Sequence, residues 1–143
     1  MSTRKLIRQN IVDRLKAAIT ELDGKVYSAR AGELDDNELP CICVYTREEP
    51  VETLDPNPAI QTRTLSLAVE ICVVGSADID DQIDDFAERV EAELLGSDKQ
   101  RDANGLYHSA ALARTDVGFV ERGRKPMGAG RLTFEFSYEK IFT

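Results

Sequence analysis

The C-terminal segment is the part of this sequence that most restricts the folds open to it. Between Arg131 and Thr143, four large apolar residues alternate with polar ones: Leu132, Phe134, Phe136 and Tyr138. A period of two is typical of a β-strand with one buried face. A second β-rich run, Ala111–Val120, precedes this strand, and the turn-like segment Glu121–Gly130 lies between them. We therefore predict a long β-hairpin that closes the domain.

A second alternation marks the centre of the predicted sheet. From Arg63 onward, one strand face carries only aliphatic residues: Leu65, Leu67, Val69, Ile71 and Val73. The opposite face carries small or polar ones: Thr64, Ser66, Ala68, Glu70 and Cys72. Such a strand is expected in the middle of a sheet. The apolar run Cys41–Thr46, which follows Pro40, and the shorter run Lys25–Arg30 predict two further strands.

Two segments have the period of an amphipathic helix. The first can be capped by Ser2 or Thr3, and its apolar stripe is Ile7, Ile11, Leu15, Ala18, Ile19 and Leu22. The second begins at Ser76 or Asp78, and its stripe is Ile79, Ile83, Phe86, Ala87, Val90 and Leu94. Together the elements predict an α+β fold, in which a mostly antiparallel sheet carries two main helices and ends in a C-terminal β-hairpin.

Length and composition predict one domain over residues 1–143, because a chain of this size can bury a core without staples. The sequence is 42% hydrophobic and 31% charged, as is ordinary for a soluble protein. No run approaches the roughly 18 apolar residues of a membrane helix. The N-terminus lacks the apolar run and cleavage site of a signal peptide, so we expect the protein to originate in the cytoplasm.

The three cysteines, Cys41, Cys43 and Cys72, lie within apolar β-like runs. We interpret them as buried, reduced thiols, because free cysteine is among the most buried residue types. A zinc site would require Cys41 and Cys43 to share a strand face with Cys72, with His108 nearby. The C-x-C spacing lacks the two-residue knuckle of common zinc sites, so no metal site is predicted.

No set of residues predicts catalysis. His108 is the only histidine, and the acidic run Asp78–Asp85 lacks the glycine and glutamate that a calcium loop needs at its sixth and twelfth positions. That run fits the first turns of the second helix better. We interpret three glycines, Gly123, Gly128 and Gly130, as residues that give a turn its flexibility. We predict no enzyme and no cofactor; the alternative, a small enzyme, would need a site built from Asp80, Asp84, Glu70 and Glu135.

Charge is distributed unevenly along the chain. The formal net charge of −8 argues against a dedicated nucleic-acid-binding protein. The first segment is nevertheless basic, with Arg4, Lys5, Arg8, Arg14 and Lys16, whereas residues 78–93 are acidic. Opposite charges at different places on one surface suit head-to-tail contacts between copies. Charge alone is equally compatible with ordinary solvated faces.

Two segments are predicted to be exposed loops. Residues 47–60 hold three of the five prolines and four carboxylates, Glu48, Glu49, Glu52 and Asp55. Prolines exclude such a segment from the centre of a sheet. Residues 121–130 hold a small basic cluster, Arg122, Arg124 and Lys125.

The chain resembles the tail terminator proteins of long-tailed phages, the minor tail protein U group of lambda-like phages. Four features match in order. These are the amphipathic helix around Ile7–Leu15, the acidic connector and strand Gly32–Tyr45, the strand Leu65–Ile71 followed by the acidic helix 78–95, and the terminal strand Leu132–Glu139. The resemblance spans nearly the whole chain and depends on the order of elements.

This resemblance implies a structural protein of the virion, at the head-proximal end of the tail. Six copies would close into a ring on the last ring of the major tail tube protein, stop tube polymerisation and offer a surface to the head–tail completion protein. DNA would pass through the hole without specific binding. A ring of six would carry a formal charge of −48, so an acidic lumen would keep DNA from adhering.

A closed ring needs two different patches on each subunit, joined head to tail. We expect the two predicted loops to contribute to the subunit or tube interface, through Glu48, Glu49, Glu52, Asp55, Arg122, Arg124 and Lys125. The alternatives are another head–tail completion or tail component and a small bacterial binding module without enzyme activity.

Overall fold

The computed structural model describes residues 2–28, 38–75, 78–122 and 125–142, with side chains except at 120–122, 125 and 126. Its helices are α1 (Thr3–Ala18) and α2 (Ile79–Leu95), with short 3-10 turns at Thr20–Leu22 and Gln100–Ala103. Its strands are β1 (Val26–Ser28), β2 (Cys41–Glu48), β3 (Val51–Pro56), β4 (Ala59–Val74), β5 (Ser109–Arg122) and β6 (Lys125–Ile141). Most of the predicted acidic connector, Arg30 and Ser76 lie outside the described residues.

The strands form one sheet in the order β1-β2-β4-β6-β5, with β3 beside β4. The pairing of β1 with β2 is parallel, and every other described pairing is antiparallel. The predicted α+β fold with a C-terminal hairpin is therefore confirmed. The prediction that residues from Arg63 onward form the central strand is also confirmed, because β4 pairs with β2, β3 and β6.

Residues 47–60 are not the exposed loop that the prolines predicted. Arg47 and Glu48 end β2, and β3 continues along the same side of β4 to a tight turn at Asn57-Pro58. All six residues of β3 are exposed. The strand lies at the edge of the sheet, where a missing backbone N–H costs no ladder hydrogen bond, so the prolines are tolerated.

Within the predicted loop 121–130, the described residues 121–122 and 125–130 belong to strands. β5 continues to Arg122 and β6 begins at Lys125, with Arg122 opposite Lys125 in the ladder. Strand pairing therefore extends through Met127 to Gly130, where the sequence shows no alternation of large apolar residues. The pattern is missing because glycine takes the inward positions of this part of β6.

Both helices pack on the same face of the sheet. Their apolar stripes bury against the aliphatic face of β4 and against Phe134 and Phe136 of β6. The predicted stripes are confirmed, with Phe86 and Ala87 partly buried; Ala18 is an exception, because its side chain is exposed. Among the described residues, no helix covers the other face, where a smaller cluster forms around the cysteines.

Gly128 and Gly130 bring α2 unusually close to the sheet. A Cβ atom at Gly128 would overlap Cγ2 of Ile79, and one at Gly130 would overlap Cγ2 of Ile83. Both glycines lie within β6, and neither has a positive φ. Close approach of a helix, rather than the turn flexibility inferred from sequence, explains these two glycines. Gly123 lies outside the described residues.

Arg14 ties the two helices together inside the protein. Its guanidinium donates to the Glu93 carbonyl oxygen (2.7 Å) and to the Tyr107 hydroxyl (2.7 Å). A longer bond reaches the carbonyl oxygen of Lys99 (3.4 Å). Glu93 lies in the last turn of α2, where carbonyl groups lack helical partners and a cation is favoured. Arg14, which belongs to the basic first segment of the sequence, is thus a buried residue, only 8% exposed.

Candidate assembly surfaces

The carboxylates of the predicted acidic loop do not share one environment. Glu48, Glu52 and Asp55 are exposed along β2 and β3, as an interface residue needs to be. The Glu49 side chain is only 4% exposed. Its carboxylate meets Arg4 at 3.3 Å and Arg63 at 3.7 Å, and it accepts a hydrogen bond from Tyr138. The carboxylate of Glu49 thus joins α1 to the sheet and has little surface left for another molecule.

The basic cluster lies far from the acidic one. Arg122 ends β5 and Lys125 begins β6, while Arg124 lies outside the described residues. Next to this hairpin tip, Met127 pairs with Val74 at one end of β4. β3 pairs with the opposite end of β4, through Asp55 and Ile60. The structure therefore keeps the two predicted patches apart within one subunit.

A polar cleft on the helix-free face offers no excess positive charge. Three arginines and three carboxylates line it, namely Arg47, Arg114, Arg131, Glu48, Asp116 and Glu135. Arg114 contacts Asp116 at 2.9 Å, and Arg131 contacts Glu70 at 3.4 Å. Because the charges balance, the cleft does not have the basic surface that phosphate contacts require.

The carboxylates proposed for a small enzyme do not form one site. Glu70 and Glu135 lie on the helix-free face, in register with Arg131 and Ser66 respectively. Asp80 and Asp84 belong to α2, on the other side of the sheet. Among the described residues, no group of three or more His, Cys, Asp or Glu side chains is arranged to hold a metal ion. His108 is exposed, and its backbone N–H donates to Ser137.

The three cysteines are buried and reduced, as the sequence predicted. Cys41 pairs with Cys72 across β2 and β4, and Cys43 lies two residues along the same strand face. The hydrogen bond with Cys43 raises the pKa of Cys41 to about 12, and the hydrogen bond with Cys41 raises the pKa of Cys72. Thiols held in the neutral form are poor nucleophiles and poor metal ligands.

Two tyrosines are hydrogen-bonded to carboxylates. Tyr45 donates to Glu70 at 2.8 Å on the helix-free face, and Tyr138 donates to Glu49. Burial, reinforced by the neighbouring carboxylate, raises the pKa of both hydroxyl groups above the ordinary value of 10.0. An ionised tyrosinate beside a carboxylate would be repelled, so these hydroxyls stay protonated in the folded protein.

These tyrosines should make the fold sensitive to alkali. Their pKa values are raised on folding, so their contribution to stability is complete below the unfolded value of 10.0 and is lost as the pH rises through the folded values. We expect Tyr45→Phe/Tyr138→Phe to reduce the fall in unfolding free energy between about pH 9 and about pH 11. Urea unfolding of the wild-type protein and of the double variant measures this difference. The three cysteines are present in both proteins, so their titration cancels from the comparison. Identical slopes would contradict the assignment.

Two strands each expose a pair of large apolar side chains, in addition to Leu95, Ile141 and Phe142 elsewhere. Val51 and Leu54 are exposed on β3, the latter by 58%, and Val117 and Phe119 are exposed on β5, the latter by 60%. Sequence reasoning missed all four, although the apolar residues within β3 could have signalled a strand. No described helix is long and apolar enough to cross a membrane. Single exposed apolar residues are common, but neighbouring ones on one strand can contribute to contact with another protein.

Comparison with known proteins extends these observations. A family model described as phage minor tail protein U matches residues 2–114. Among solved structures, a chain of the "Virion of native gene transfer agent (GTA) particle" is similar, with a TM-score of 0.57 and 21% sequence identity. The similarity covers 94% of this chain and 95% of that chain, and it establishes a shared fold. No curated protein matches the sequence significantly.

Proposed function

We propose that this chain, which belongs to the phage minor tail protein U family, terminates the tail tube. Membership makes the chain a structural component of the phage tail and of the virion. In the proposal, six copies form a ring on the last ring of tube protein, at the head-proximal end. The ring ends polymerisation, fixes tail length and provides the surface for head joining, while DNA passes through without specific binding.

The observation that carries this proposal is the family match, which spans 113 of the 143 residues from Ser2 to Arg114. Two structural features support it. Two strands on opposite sides of β4 and β6, namely β3 beside β4 and β5 beside β6, each pair with one strand among the described ones, and each exposes large apolar residues. A subunit that joins its neighbours head to tail needs two such different surfaces.

Within this proposal, the charged residues at the two ends of the sheet contribute to subunit or tube contacts. The acidic set is Glu48, Glu52 and Asp55, and the basic set is Arg122, Arg124 and Lys125. Their separation within one subunit supports contact between sets on different molecules, because they cannot neutralise each other internally. Glu49 takes no part, since its carboxylate is already enclosed by Arg4 and Arg63.

Deletion of the gene tests the function directly. Electron microscopy of particles from the deletion strain should show overlong tail tubes without heads, because nothing ends polymerisation. Expression of the intact chain from a plasmid should restore tails of normal length with heads attached, which controls for effects on neighbouring genes. Tails of normal length joined to heads in the deletion strain would overturn the proposal and favour the binding-module alternative.

Charge reversal tests the basic set. We expect Arg124→Glu/Lys125→Glu to weaken ring formation or tube docking, which complementation of the deletion strain would show as a return of overlong tails. Arg101→Glu is the control, because the Arg101 side chain is 78% exposed, lies in the 3-10 turn Gln100–Ala103 and belongs to neither charged set. Normal tails with the double variant would remove these residues from the interface.

A further inference from the structure

The polar cleft on the helix-free face is centred on a buried serine. The cleft has a volume of about 510 Å³, and Ser66, Glu48 and Glu135 are among the residues that line it. These three residues are partners in the strand ladder, with Ser66 on β4 between Glu48 on β2 and Glu135 on β6. Two strand spacings separate the outer strands, so the Cα atoms of the two glutamates are about 10 Å apart. The two carboxylates therefore flank the serine.

The hydroxyl group of Ser66 has no hydrogen-bond partner among the described residues. The residue is nevertheless only 7% exposed. Buried polar side chains are hydrogen-bonded in most proteins, because a buried group without a partner costs free energy. A ligand that donates a hydrogen bond into the cleft would remove this cost.

The charges that remain free in the cleft favour a cation as that ligand. Four charged groups are already paired on this face, Arg114 with Asp116 and Arg131 with Glu70. Among the described residues, the charged side chains that line the cleft without an ion pair are those of Arg47, Glu48 and Glu135. Two carboxylates thus remain for one guanidinium group, and both carboxylates lie in the row of Ser66.

A second row of carboxylates continues the acidic surface along β4. This row consists of Glu52, Thr62 and Glu139. Both of its glutamates are exposed, and Asp55 lies in the next row, beside Ile60. Arg63 and Lys140 occupy the alternate positions of β4 and β6, so they belong to the helix-covered face. Four residues of a strand separate Thr62 from Ser66, which places the two rows about 13 Å apart.

We propose that this face binds an extended segment of another tail protein through two basic side chains about 13 Å apart. The first cation lies between Glu48 and Glu135, where it donates hydrogen bonds to the carboxylates and to the Ser66 hydroxyl group. The second lies between Glu52 and Glu139. Arginine suits both places, because its planar guanidinium group carries five N–H donors. The inference adds the chemistry of a partner to the proposed function and depends on neither the ring nor tail termination.

Peptide binding to the purified chain tests the proposal. The probe is a short blocked peptide of glycine and serine with two arginines four positions apart. Titration calorimetry at low salt should show binding, and NMR should show amide shifts at Ser66 and its neighbours on β4. The same peptide with citrulline at both places keeps N–H donors without the charge, so it should bind about tenfold more weakly. No binding at millimolar peptide, or shifts confined to α2, would overturn the site.

Variants of the cleft provide the second measurement. Glu48→Gln/Glu135→Gln should weaken binding of the arginine peptide about tenfold, and Ser66→Ala should weaken it at unchanged net charge. Asp84→Asn/Glu88→Gln is the matched control, because it removes two exposed carboxylates from α2, on the other side of the sheet. Affinity should be unchanged in this control. Equal losses for the two double variants would indicate attraction by net charge alone and would contradict the inference.

Carboxylate labelling shows whether the cleft is covered in the virion. A water-soluble carbodiimide with glycine ethyl ester should modify Glu48 and Glu135 in the free chain but not in assembled particles, as read by mass spectrometry. Equal labelling in both would overturn the assignment to a tail protein. Self-association of the free chain that Glu48→Gln/Glu135→Gln abolishes would identify the occupant as a second copy and overturn it as well. None of these measurements uses tail length, so their failure would leave the terminator role standing.

Discussion

Replacing Arg14 with methionine should lower the free energy of unfolding by about 2–6 kcal/mol, because two buried groups lose a close partner. Methionine keeps much of the length of the side chain but donates no hydrogen bond. The Glu93 carbonyl and the Tyr107 hydroxyl would lose a partner at 2.7 Å, and the Lys99 carbonyl would lose a weaker one. Each buried group left without a partner costs about 1–3 kcal/mol. The loss should therefore be large although one charge fewer is buried.

Urea unfolding of the purified variant measures this effect. Arg101→Met is the matched control: its side chain is largely exposed, so the change should stay within about 0.5 kcal/mol. Arg14→Lys should lie between them, because one ammonium group keeps the charge but cannot reproduce the planar fork that reaches several acceptors. Unfolding of Arg14→Met at the wild-type urea concentration would show that the bonds add no net stability.

Gly130→Ala should lower the free energy of unfolding by about 1–3 kcal/mol, and Gly128→Ala should have a similar effect. The new methyl group would meet the Cγ2 atom of Ile83 or Ile79, whose position is held by the one χ1 rotamer that isoleucine strongly prefers in a helix. Relief of the overlap requires α2 to move outward from the sheet. That movement would loosen the packing of its whole apolar stripe.

The same strand pair contains a control for this substitution. A Cβ atom at Gly118, which pairs with Ala129 between the two critical glycines, would meet nothing within 4 Å. Gly118→Ala should therefore be neutral or slightly stabilising, since alanine restricts the unfolded chain. Ile83→Leu removes the clashing Cγ2 atom, so it should recover part of the stability lost in Gly130→Ala. Equal losses for all three alanine variants would attribute the effect to the strand rather than to α2.

The spacing of apolar residues predicted the main helices and strands, because an element with one buried face repeats its apolar residues at the helical or strand period. β4 and the end of β6 each put large apolar groups on one side, and this pattern has no other economical interpretation. The pattern failed at the start of β6, where Gly128 and Gly130 occupy the inward positions. Glycine has no side chain to mark a face, so this stretch was indistinguishable from a turn.

Other differences arose from neighbours distant in sequence. β3 contains acidic residues and ends at Pro56, with Pro50 just before it, and its place at the edge of the sheet lets it form a strand. The enclosure of Glu49 depends on Arg4, Arg63 and Tyr138, none of which is near it in the chain. No local sequence pattern could have predicted this enclosure before the sheet order was known.

The long ladder between β4 and β6 gives the molecule a direction of mechanical strength. Its pairs run without a break from Ile60–Ile141 to Val74–Met127, and β5 extends beside most of β6. A force applied along these strands is shared by the whole ladder at once, so yielding requires many hydrogen bonds to break together. A force that pulls β5 sideways away from β6 breaks the hydrogen bonds between these two strands one after another. The sheet should therefore resist a force along its strands more strongly than a force that separates β5 from β6.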